Sequence, residues 1–60
     1  MNLFYKLIQL LIDENESLYL GEIIQCLPDY EGWQIKEAIE TGIIAEIIKK
    51  NDSFEKFGLR

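Results

Sequence analysis

The stretch whose reading decides the fold runs from Ser17 to Arg60, SLYLGEIIQCLPDYEGWQIKEAIETGIIAEIIKKNDSFEKFGLR. Within it, Leu20, Ile23, Ile24 and Leu27 stand at i, i+3, i+4 and i+7, the spacing of one buried helical stripe. Pro28 closes that segment, because its ring removes a backbone donor and restricts Leu27. Ahead of it, Leu18-Tyr19 reads as a short strand. Behind it, Asp29 is a candidate N-cap, with Glu31 in the first turn favourably placed against the helix dipole, and a third helix is expected from about Tyr30. In that helix Ile35, Ala38, Ile39 and Gly42 fall on one face. Glu31, Gln34, Glu37 and Thr41 fall on the opposite face, which is predicted to be exposed.

Gly42 is suited to end this helix in a left-handed conformation, and the following Ile43-Ile44-Ala45-Glu46-Ile47-Ile48 is β-branched enough to be a strand. Asn51-Asp52-Ser53 supplies turn chemistry, and Phe57 and Leu59 share a face by two-residue alternation. A hairpin of roughly residues 44–50 and 53–60 is therefore expected. The alternative is a third helix continuing through Lys50, since Ile39, Ile43 and Ile47 also satisfy an i, i+4 pattern. That would give a three-helix bundle, and a glycine inside the helix costs only about 1 kcal/mol relative to alanine.

Working outward toward the N-terminus, Asn2, Lys6, Gln9 and Asp13 form one narrow polar stripe on a segment otherwise made of Leu3, Phe4, Tyr5, Leu7, Ile8, Leu10, Leu11 and Ile12. This is a first helix, ended by the polar run Asp13-Glu14-Asn15-Glu16-Ser17. Its apolar arc is wider than the roughly 100° face that a surface helix buries against one core. Two readings follow: the central helix of a small core, or a dimer or partner surface at Phe4, Tyr5, Ile8 and Ile12.

Sixty residues make one domain at most, burying only about 60% of the surface exposed in the unfolded chain. The composition is globular, with 48% apolar residues and seven aromatics. Charge is uneven. Residues 1–46 hold nine carboxylates against Lys6 and Lys36, a net of −7, whereas residues 47–60 hold Lys49, Lys50, Lys56 and Arg60 against Asp52 and Glu55, a net of +2. A body that repels polyanions is joined to a segment that weakly attracts them.

No reaction chemistry is expected. The chain has no histidine, one cysteine and no Gly-rich phosphate loop. Asp13, Glu14 and Glu16 read as a solvated helix end rather than a metal or glycosidase-like carboxylate pair. Cys26, beside Leu27, reads as a small core or boundary hydrophobe without an activating cation. A lone cysteine fits a reducing, cytoplasmic setting, and Lys6 and Gln9 break the apolar run that a signal peptide or membrane span would need. No cofactor, metal, membrane or small-molecule substrate is expected.

From Ser17 onward the chain resembles the winged helix-turn-helix family. The likeness rests on a short strand at Leu18-Tyr19, the Leu20-to-Leu27 helical core, a turn, a helix carrying Ile35, Ile39 and Gly42-Ile43-Ile44, and a two-stranded wing. With the first helix in front it covers nearly the whole chain, on motifs of low specificity. The resemblance implies a mainly α domain with a small β-hairpin that binds DNA, with the exposed face of the third helix in the major groove and the wing beside it. Gln34, Thr41, Lys49, Lys50 and Lys56 would then be the nucleic-acid contacts. Against this stand Glu31, Glu37 and Glu40, which a phosphate backbone repels. The wing lysines serve equally well to protect a sheet edge from aggregation.

Tyr30 and Trp33 flank the turn between the second and third helices. There they act as binding anchors, or Trp33 closes the small core from above. With Glu31, Gln34, Glu37 and Glu40 around them they make an acidic face with an aromatic centre, suited to a protein partner with a basic surface, including one that otherwise grips nucleic acid. The leading expectation is a small non-catalytic interaction protein that binds such a partner, or itself as a homodimer through the first helix. The alternative is a winged-helix transcriptional regulator that touches DNA with its wing lysines.

Overall fold

The computed structural model describes residues 2–51, 53 and 55–60; of the expected turn and second wing strand, Asp52 and Phe54 lie outside the described residues. Three helices and three strands follow one another as α1 (Leu3–Glu14), β1 (Leu18–Tyr19), α2 (Leu20–Cys26), α3 (Gly32–Ile44), β2 (Ile48–Asn51) and β3 (Lys56–Leu59). The strands form one antiparallel sheet in the order β1-β3-β2. Leu18 faces Phe57 on one side of the central strand, and Ile48 faces Leu59 on the other. The fold is mainly α with a small sheet, winged-helix-like in its order of elements.

Each element ends where local chemistry stops it. Asn2 caps α1, its Oδ1 accepting from the Tyr5 N–H at 2.9 Å, and Asn15 ends it in the left-handed region at φ 53° with its N–H on the Leu11 carbonyl. α2 stops before Pro28, its last turn closed by the Leu27 N–H on Ile24 O. The core joins Leu7 and Leu11 of α1, Leu18 of β1, Ile23 of α2 with Leu27, Ile35, Ala38 and Ile39 of α3, and Ile48 of β2. The helix at the centre of this core is α3, which packs on α1, α2 and β2; α1 contributes Leu7 and Leu11 from one side, and part of its apolar arc stays outside the core.

Several expectations are corrected. Asp29 does not cap α3: residues 28–30 are taken up by a turn in which Tyr30 N–H bonds Leu27 O, so the helix begins at Gly32 with Glu31 at its N-cap. Glu31 therefore precedes the first turn, and its own N–H donates to Gln34 Oε1 at 2.8 Å. Gly42 does not end α3, which runs two residues further. The left-handed residue is Glu46 at φ 62°, and the Glu46 and Ile47 N–H groups return to Ile43 O and Gly42 O, the paired bonds of a Schellman ending. That ending leaves Ile43, Ile44 and Ile47 out of the wing and rules out a helix running to Lys50. Cys26 is exposed rather than a core residue; it is the last residue of α2, at the end of the helix where the chain turns into Leu27-Pro28.

Candidate functional site

The 13 residues of α3 carry two opposite stripes. One buries Ile35, Ala38, Ile39 and Gly42. The other, by the helical period, runs through Trp33, Glu37, Glu40 and Ile44. Trp33 is 63% exposed and Ile44 83%, the latter the most exposed large apolar side chain among the described residues. Trp33 therefore does not close the core. The outward stripe is rotated from the Gln34–Thr41 face expected from sequence, and Ile44 joins it because the helix outlasts Gly42. Sequence reasoning missed Ile44. The signal was present in the i, i+4, i+7, i+11 spacing, but was overridden by the β-branched run that followed.

Gln34 and Thr41 are both engaged with α3 itself. Gln34 Oε1 accepts from the Glu31 N–H, and Thr41 Oγ1 donates to Glu37 O at 3.0 Å. Neither presents its full hydrogen-bonding capacity to a groove. Glu31, Glu37 and Glu40 are exposed. Among the described residues the one ion pair is Arg60 with Glu46, at 3.4 Å and on the surface, so the α3 carboxylates make no ion pair with a described cation. Tyr30 differs from Trp33. It is half-buried against the core, and the Lys6 ammonium of α1 stands 5.4 Å from its ring centroid, so it braces α1 rather than projecting as an anchor.

The wing lysines diverge. Alternation along β2 and β3 puts Lys50 on one face of the sheet, toward α3, and Lys49 and Lys56 on the opposite face. Lys50 lines a cleft of about 210 Å³ between α3 and the sheet, with Leu20, Lys36, Ile39, Glu40, Ile43 and Phe57. Lys49 borders a separate hollow of about 320 Å³ against the end of α1, near Glu16 and Ser17. The Lys56 ammonium sits 4.8 Å from the Tyr19 ring centroid. A phosphate backbone following one path would not meet all three.

On α1 the structure divides the four residues taken as a single surface. Phe4 and Ile8 pack against the core, while Tyr5 and Ile12 are 66% and 53% exposed. The exposed pair lies two turns apart and is separated by Gln9, which is occupied with Asp13 Oδ1 at 2.9 Å. Among the described residues no three His, Cys, Asp or Glu side chains are placed to hold a metal, and no helix is long and apolar enough to cross a membrane. No protein-family model matches the chain, and neither a curated protein nor a solved structure matches it.

Proposed function

We propose that this chain is a small, non-catalytic interaction protein of the cytoplasm that docks the outward face of α3 on a protein partner with a basic surface. One observation carries the reading. On a single helix face, exposed Glu37 and Glu40 lie between an exposed tryptophan and an exposed isoleucine, with no described cation paired to either carboxylate. Apolar anchors supply affinity and the charges between them select the partner. The test compares proteins recovered from the native cell with tagged wild-type chain and with the Glu31→Gln, Glu37→Gln, Glu40→Gln triple variant. A basic protein lost with the variant supports the reading. Duplex DNA binding at about 0.15 M salt that depends on Lys49 and Lys50 overturns it.

The second reading is a winged-helix DNA-binding regulator, favoured by Lys36 and Lys50 lining the same cleft between α3 and the sheet. Glu40 lines that cleft too and offsets one of the two charges.

A further inference from the structure

Trp33, Glu37, Glu40 and Ile44 are separated by four, three and four residues. That is the spacing of the positions that meet a second helix in a two-helix seam. The two apolar ends lie about 16 Å apart along the axis. Both ends are exposed, and Glu40 between them also borders the cleft that holds Lys36 and Lys50. The two middle positions are acidic, which decides what can lie there. A second copy running antiparallel about a two-fold axis would bring Trp33 against Ile44 of the other copy, a good fit, but Glu37 against Glu40 twice over. Four carboxylates would converge at the centre of the contact. Like charges at such a site are strongly unfavourable, so the face selects against itself.

We infer that the occupant of this face is a helix of a partner protein with apolar side chains three turns apart and two Lys or Arg residues between them. The inference rests on the docking function proposed above and specifies the shape of its partner. Apolar ends match Trp33 and Ile44, and the cations match Glu37 and Glu40. The same charges that exclude self-pairing thereby become the partner's recognition element.

The full chain supplies its own probe. The Glu37→Lys, Glu40→Lys double variant keeps both apolar ends and inverts the middle; the changed side chains are exposed, so far-UV circular dichroism should match wild type. Mixing isotope-labelled wild type with this variant should give a 1:1 complex, with amide shift changes running along α3 from Trp33 to Ile44 and affinity falling as salt rises. Trp33→Ala or Ile44→Ala in the labelled chain should weaken it about tenfold or more. Absence of a complex at about 1 mM protein and low salt overturns the helix-seam inference. Binding indifferent to both alanine changes also overturns it while leaving the charge-based docking function standing, and wild-type self-association through Trp33 and Ile44 would show that the occupant is a second copy.

Discussion

Gly42 of α3 and Ile48 of β2 meet so closely that a Cβ on the glycine would lie 2.8 Å from Ile48 Cγ1 and nearer still to Cδ1. Ile48 is fully buried, so its side chain has no open space to retreat into. The missing side chain lets the helix and the first wing strand approach to this separation. Gly42→Ala gains about 1 kcal/mol of helix propensity, but forcing a methyl into a filled core costs about 1–3 kcal/mol. The expected outcome is a lower denaturation midpoint, partly restored when Ile48→Val is added. A stabilised Gly42→Ala would contradict the packing described.

Glu55 opens the end of the wing turn at φ 53°, its N–H bonded to Asn51 O at 2.8 Å. A side chain in the left-handed region is unfavourable and glycine is not. Glu55→Gly should therefore stabilise the fold by about 0.5–1 kcal/mol, after allowing for the freedom glycine adds to the unfolded chain. Thermal unfolding checks it, and a loss of stability would speak against the turn geometry.

The two kinds of α1 residue should separate under one substitution. Ile8→Glu puts a charge against the core and should lower stability by about 1–3 kcal/mol in the monomer itself. Tyr5→Glu, on the exposed side, should leave the midpoint within about 0.5 kcal/mol. Sedimentation run alongside reads the homodimer directly. A dimer dissociated by Tyr5→Glu without loss of fold would place self-association on the Tyr5–Ile12 side.

Docking by charge has a kinetic signature. The Glu31, Glu37 and Glu40 triple change to Gln should slow association with a basic partner at low salt and matter less at high salt, while Lys49→Ala with Lys50→Ala should do little. For duplex DNA the signs reverse. The Gln changes would strengthen binding, and loss of the two lysines would weaken it and flatten its salt dependence. Stopped-flow association across a salt series distinguishes the two.

Where burial writes a period into the sequence, the fold was legible. The Leu20–Leu27 stripe, the Ile35–Gly42 face and the Leu18-Tyr19 strand are found where spacing put them, and Pro28 stops α2. What was misread depends on partners outside the local window. Propensity favours glycine at a helix end, but here Gly42 is needed to admit Ile48, and the two Schellman hydrogen bonds carry Glu46 into the left-handed position instead. That displacement hid Ile44, the most exposed end of the α3 stripe, inside an expected strand. Trp33 was ambiguous for a different reason: hydrophobicity alone does not distinguish a core residue from an anchor in a chain too short to cover every helix face. Lys49 and Lys50 are adjacent in sequence, and only strand alternation sent them to different faces of the sheet.

The central strand β3 reaches its two neighbours by different routes. Only residues 52–55 separate β2 from it in sequence, so that pairing is local. β1 must wait for the chain to close a loop containing both α2 and α3, and the entropy of that closure is repaid only once the helices pack. Leu18, buried at the β1–β3 pairing, is thus a second junction of the helical core with the hairpin, beside that of Ile48 on Gly42. Changes at Leu18 act on how rapidly the two halves of the molecule find each other, as well as on how firmly they stay together.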